Sequence, residues 1–292
     1  MPAEVKYRWS QLDPERRLGF PGGRFTSSKP LPAFLVAGLT TLLFYGLMIW
    51  AHSRLTWAHP VTQAFLREAN LWTVVPLSVL FFVSVALLVG KTLKLRLQKK
   101  AMGWAVVPAS ADFVLNENTA EAVLQRIQGL VDQPDQFVIL NRIERGLSNL
   151  HYLGQVSEVS SILRGQADDD EKTVASSFTL LQGLVWAMPV LGFVGTAQGL
   201  AFAMGRFRLV LGDQGTDLAA IKQSLQEVTL GLSTSFETTL VALVFALAIQ
   251  IWITFRQRAE LEFLDSCNDY CQRYVISKLR LASGMPRDSY SK

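Results

Sequence analysis

Apolar positions along this chain gather into four runs, Leu31–Ala51, Leu71–Gly90, Leu180–Met204 and Val228–Phe255, separated by polar or amphipathic stretches. Each run exceeds the roughly 18 apolar residues that a helix needs to cross a hydrocarbon core about 30 Å thick. The pattern predicts an all-α, polytopic membrane protein with transmembrane helices over 31–51, 71–90, 180–204 and 228–255. Residues 91–179 form a helical insert between the second and third spans.

Within that insert the period is that of helices. Asn118 with Glu121 three residues on predicts a helix start, and Ala120, Leu124, Ile127 and Val131 then share one face. Gln133-Pro134-Asp135 breaks the chain, and Phe137, Leu140, Ile143, Leu147 and Leu150 give a second apolar stripe. No strand pattern of useful length occurs. The run Asp168-Asp169-Asp170-Glu171 could dock a basic partner, but the reading preferred is that its carboxylates stabilise the N-terminus of the helix that becomes the third span. After Phe255 the helix is expected to continue, with Leu264, Cys267, Cys271, Tyr274 and Leu279 near one face. The first segment is polar, and Pro21-Gly22-Gly23 argues against one continuous helix there.

Composition agrees with the pattern and charge adds an orientation. Half of the 292 residues are hydrophobic, and the net charge of +4 comes from basic residues beside the spans. Lys91, Lys94, Arg96, Lys99 and Lys100 follow the second run at once, whereas His52–Asn70 carries only Arg54, Arg67 and Glu68. By the positive-inside rule the N-terminal segment 1–30, the insert 91–179 and the C-terminal segment 256–292 are cytoplasmic. Arg256 and Arg258 agree with this, and Arg206 and Arg208 dissent mildly. Trp50, Trp57 and Trp72 fit an interfacial belt at the outer boundary. The basic balance is thereby explained without nucleic acid.

The last two runs carry the chemistry. Gly192, Gly195, Thr196, Gly199 and Ala203 recur at spacings of three and four, so one helix face has almost no bulk, and Gly195-x-x-x-Gly199 permits close helix approach. Gly231, Ser235, Thr238, Ala242 and Ala246 form a comparable stripe in the fourth run. In a hairpin joined through Gly205–Glu227, a rise of ~1.5 Å per residue puts Thr196 and Thr239 roughly 12 and 15 Å from one membrane face, nearly level.

At these residues, about 170–258, the sequence resembles the MotA/TolQ/ExbB family of ion-driven motor subunits. The segment Met188-Pro189-Val190-Leu191-Gly192-Phe193-Val194-Gly195-Thr196-Ala197-Gln198-Gly199-Leu200 resembles the family's proline, glycine, Gly-Thr and glycine pattern. In Gly231 through Leu243, Thr239 falls on the family's second pore threonine. The resemblance implies a ring of five such subunits in a bacterial inner membrane, around two copies of a single-span partner of the MotB/TolR/ExbD kind. A transmembrane aspartate of that partner takes up the proton or sodium ion. Thr196, Thr239, Thr238, Glu237 and Thr234 would line the ion pathway, while Pro189, Gly192, Gly195, Gly199, Ala203, Gly231, Ser235 and Ala242 would form the packing or partner face. No cofactor is implied beyond the transported ion, and no span of this chain contains an aspartate. Four spans resemble the flagellar stator layout, while the lettering is closer to the TolQ and ExbB branch.

Glu237 is the charge inside the fourth run, and an intramembrane acid costs ~2.5–3.5 kcal/mol unless neutral, paired or wetted. It reads as an ion-relay or gating carboxylate, or equally as a structural glutamate, protonated or held by a hydroxyl such as Thr234, Ser233 or one from the next subunit. Many members of the family carry a polar residue at the position of Thr234, one turn earlier. Two rival readings remain. One is a self-contained four-span transporter, against which no basic partner is visible at the midplane. The other is a scaffold without flux, in which the threonines serve only packing.

Other chemistries find no support. His52, His59 and His151 are dispersed. Cys267 and Cys271 lie one turn apart with no second ligand pair, so a buried structural role outweighs metal binding. The glycines of the third run lack a phosphate-loop lysine, and nothing points to an enzyme.

Overall fold

The computed structural model describes residues 7–280 apart from 18, 21, 105, 109, 111–112, 149, 151–155 and 213–217. Among them the chain is helical, and its only β pairings are isolated bridges, Tyr7 to Val131 and Leu115 to Leu279. In order, the helices are α1 (Trp9–Leu12), α2 (Pro14–Arg17), α3 (Pro30–Arg54), α4 (His59–Leu66), α5 (Leu71–Met102), α6 (Glu117–Leu130), α7 (Val138–Ser148), α8 (Val156–Ser176), α9 (Thr179–Gly212) and α10 (Leu218–Tyr270). Among the described residues four helices are long and apolar enough to cross a membrane, and α3, α5, α9 and α10 contain the four apolar runs. The protein is a multi-pass membrane protein.

Contacts divide the chain into two units. One comprises Pro30–Leu88 and Thr179–Thr254, the other Met1–Lys29, Val89–Phe178 and Phe255–Lys292. Helices α5 and α10 contribute residues to both, because each continues past its apolar run without a break. At 53 residues α10 is about 80 Å long, well over twice a hydrocarbon core.

The apolar unit holds α3, α4, the first part of α5, α9 and most of α10. Its polar connection is itself mostly helical, since α3 runs on to Arg54 and α4 with two 3₁₀ turns, Thr56–Ala58 and Glu68–Asn70, takes up most of the residues before α5. Phe65 of α4 is buried and meets Phe44 of α3 edge-on at 5.3 Å and Phe245 of α10 at 6.1 Å. Phe81 stacks on Phe245 at 4.1 Å, which ties α5 to α10. Outward faces of α3, α9 and α10 remain apolar and exposed, as at Leu42, Trp186, Phe193 and Leu247, the surface that a bilayer covers.

The other unit is helical too, with a correction at its first long helix. Helix α6 starts after Asn116, not Asn118. The Asn116 side chain accepts from Thr119 N–H and the Thr119 hydroxyl accepts from Asn116 N–H, so Thr119 closes the box that Glu121 was expected to supply. The break at Gln133-Pro134-Asp135 is a 3₁₀ turn, and Phe137, Leu140, Ile143, Leu147 and Leu150 are all buried. Past Tyr270 the backbone widens into a π-helical stretch, Cys271–Ile276, and residues 281–292 of the C-terminal segment lie outside the described residues.

The acidic run is a second correction. It lies in the last half of α8, which ends at Ser176 before α9 begins, so these carboxylates cap no helix N-terminus. Asp170 is buried and pairs with Arg142, Oδ2 to Nε 2.7 Å, while Asp168, Asp169 and Glu171 are exposed. A ±3 to 4 helical spacing turns one carboxylate of the run inward and leaves the others in solvent.

Candidate functional site

The seam between α9 and α10 is built from the small residues of both apolar runs. A Cβ on Gly192 would lie 2.6 Å from the Ala242 methyl, and one on Gly195 would lie 2.8 Å from Thr238 Oγ1. On Gly199 it would collide with the Ser235 hydroxyl, and on Gly231 it would stand 3.0 Å from the Ala203 methyl. The helices therefore run antiparallel with Gly192 beside Ala242, Gly195 beside Thr238, Gly199 beside Ser235 and Ala203 beside Gly231. At Gly192 only glycine allows this approach, because a fixed methyl and a backbone Cα stand in the way, while a side chain at the other three positions would have to displace a hydroxyl or a methyl of the facing helix. Thr73 of α5 closes the same level, its methyl 3.3 Å from the Gly195 Cβ position. Pro189, inside α9 and half-buried, removes the donor that the Val185 carbonyl would otherwise use.

The two threonines are nearly level but do not meet. Thr239 Oγ1 donates across the seam to the Gly192 carbonyl at 3.0 Å. Thr196 Oγ1 turns back onto its own helix, to the Phe193 carbonyl at 2.7 Å. Thr238 is buried and donates to the Ser235 carbonyl at 2.8 Å, and Ser235 in turn donates to the Gly231 carbonyl at 2.7 Å. Within one chain each hydroxyl is thus satisfied by backbone, and Thr196 stands half-exposed beside the seam. The side chain of Thr234 lies outside the described residues.

Glu237 has partners that the sequence did not point to. Its Oε2 lies 3.1 Å from Nη1 of Arg67 and 3.5 Å from Nδ2 of Asn70. Arg67 precedes and Asn70 ends the 3₁₀ turn that leads into α5. The side chains of Arg67 and Glu237 remain 28% and 31% exposed, so the pair is reachable from outside the protein. The sequence counted Arg67 as a loop charge, and nothing in its spacing signalled that a helix within the loop would bring it to α10. The same folding stacks His52 on His59, ring centroids 4.6 Å apart, with His52 Nδ1 2.8 Å from Thr62 Oγ1.

The other unit contains a charged interior that the sequence analysis assigned to topology. Lys91 and Lys94 are fully buried. Lys91 Nζ reaches both carboxylate oxygens of Glu260 at 3.3 Å and Ser177 Oγ at 2.7 Å, and it sits 3.9 Å above the Phe178 ring. Thr26 donates to the same glutamate at 2.7 Å. Lys94 Nζ bonds Glu15 Oε2 at 2.8 Å and the Ser27 carbonyl at 2.7 Å. Asp13 beside it is wholly buried, and burial holds its carboxyl above the ordinary range, against the opposing pull of Lys94. Spacing of three between Lys91 and Lys94, with Leu87, Leu88 and Leu95 buried around them, was the available signal of an inward polar stripe. Cys267 and Cys271 are buried free thiols, and no group of three or more metal-ligating side chains occurs among the described residues.

No family model, curated protein or solved structure matches this chain.

Proposed function

We propose that the chain is the ring subunit of a proton- or sodium-driven motor channel of the MotA/TolQ/ExbB kind, in a bacterial inner membrane. Five copies would surround two copies of a single-span partner whose transmembrane aspartate carries the ion. The observation that carries the reading is the α9–α10 seam. The glycines and small residues of the two motif segments pack on one another position by position, so the part of the chain with the family's lettering is a closely packed helix hairpin. With that hairpin closed internally, Thr196 and the apolar faces of α9 and α10 are left for neighbours, for a partner helix and for lipid. Arg96, Lys99 and Lys100, which stay exposed after the second span, support placement of both termini and the helical insert in the cytoplasm. Each elementary charge crossing would supply ~2.3 kcal/mol per 100 mV for work on the partner.

The test is ion flux into liposomes that contain the chain with its partner. Thr196→Ala and Thr239→Ala are expected to assemble normally and to abolish coupled flux or motor output. Normal output from both variants would refute a pore lined by these hydroxyls and leave them as packing groups.

The Glu237–Arg67–Asn70 cluster favours a second reading, a self-contained transporter, because it gives Glu237 a basic partner within one chain, at the N-terminal end of α5 rather than at the midplane. Flux by the chain alone, lost in Glu237→Gln, would select it.

A further inference from the structure

Near the Lys91–Glu260 pair, just past the fourth apolar run, two polar side chains are left unsatisfied. Arg256 of α10 has Nε and Nη2 fully buried with no hydrogen-bond partner among the described residues, and the Ser28 hydroxyl is in the same condition. Buried donors of this strength are ordinarily matched, and a guanidinium more than most. Their placement is defined by the Lys91–Glu260 pair. Ser28 Oγ stands 2.8 Å from the Cβ position of Gly90, the residue before Lys91. Arg256 precedes Glu260 by one helical turn. Both groups therefore lie on the side of the pair that leads into the apolar runs.

Charge points the same way. Lys91 and Glu260 neutralise each other at 3.3 Å. Arg256 interacts electrostatically with Lys91, Glu260 and Arg96, so the neighbourhood holds three cations and one anion. The neighbouring Arg258 does not share this condition, since it is exposed and paired with Glu262 at 2.9 Å.

We propose that Arg256 and Ser28 hold the phosphate of an anionic phospholipid, with Arg96 adding charge at long range. The guanidinium fork and the hydroxyl match phosphate oxygens in number and kind. The position, one residue after an apolar run that ends in the exposed Phe255, is where a headgroup meets the edge of the hydrocarbon. This site is independent of whether the chain is a motor subunit.

The test is retention of phosphatidylglycerol by the full-length protein in detergent, measured by native mass and by thermal shift, against phosphatidylcholine and inorganic phosphate. Phosphatidylglycerol is expected to bind and stabilise, with phosphatidylcholine weaker by about fivefold or more, the factor one basic residue near a membrane surface contributes. Arg256→Gln should reduce phosphatidylglycerol binding by a similar factor, Ser28→Ala should weaken it while keeping the charge, and Arg258→Gln should leave it unchanged. If Arg256→Gln fails to fold, Ser28→Ala and Arg256→Lys carry the test, each binding less lipid than wild type. Equal losses in Arg256→Gln and Arg258→Gln would overturn the site as general surface attraction. Equal stabilisation by inorganic phosphate would overturn the lipid as its occupant, and dissociation of an oligomer in Arg256→Gln with lipid binding intact would assign Arg256 to a neighbouring chain.

Discussion

Gly192→Ala perturbs the seam where least can give way. The new methyl would stand 2.6 Å from the Ala242 Cβ and 3.2 Å from the Thr239 Cα, a fixed methyl and a backbone atom, neither of which can rotate aside. Carbon atoms pack best at about 3.5–4.0 Å, so the helices must part by about 1 Å. Overpacking of this kind costs about 1–3 kcal/mol, offset by the 0.5–1 kcal/mol that alanine gains over glycine in a helix. Ala242→Gly removes the opposing methyl and reverses the propensity term. In the double variant the propensity terms cancel, and only the tight Thr239 contact remains. Reversible unfolding of wild type, both single variants and the double variant in micelles should therefore give a favourable coupling of about 1–3 kcal/mol. Additivity within ~0.5 kcal/mol, the behaviour of independent sites, would refute the seam's register.

The buried pair in the polar unit should behave asymmetrically: Lys91→Met or Glu260→Gln alone is expected to lower stability by about 3–5 kcal/mol, and Lys91→Met with Glu260→Met together by much less, as read by unfolding midpoints. Arg67→Ala and Glu237→Gln, a partly exposed pair, should show a coupling of about 1 kcal/mol or less that shrinks in high salt. The buried Asp13 carboxyl predicts a pH effect. Its folded-state value is raised chiefly by burial and also by Glu15, with Lys94, a backbone bond from Glu15 and Arg16 opposing, so its contribution is full below the ordinary aspartate range and lost as pH rises through the raised value. Asp13→Asn should flatten that decline in a stability-against-pH series. Gly199→Val should prevent the hairpin from closing, with loss of the folded species on gel filtration, whereas Gly183→Ala, with open space around its Cβ position, should be silent.

The spans were legible because they depend on one property, a long stretch without charge, and a bilayer imposes that requirement residue by residue. The stripe of small residues was legible for a similar reason, since Gly192, Gly195 and Gly199 repeat at the helical period. What escaped was tertiary placement of single polar side chains. Lys91 and Lys94 look the same in sequence whether they mark a cytoplasmic boundary or enter a charged interior, and only Glu260, 169 positions away from Lys91, distinguishes the two. Arg67 meets Glu237 because α4 folds a connection that sequence treats as solvent-exposed. Asp170 differs from Asp168 and Asp169 only by the angle at which α8 presents it to Arg142. The level of Thr196 and Thr239 followed from helical rise, but their separate backbone acceptors depend on side-chain direction, which rise does not fix.

The native mass of the detergent-solubilised protein, alone and after co-expression with a single-span membrane protein that carries a transmembrane aspartate, tests the central claim most directly. The ring reading predicts five copies of this chain that gain two copies of the partner. A monomer or dimer whose mass no such partner changes would contradict it.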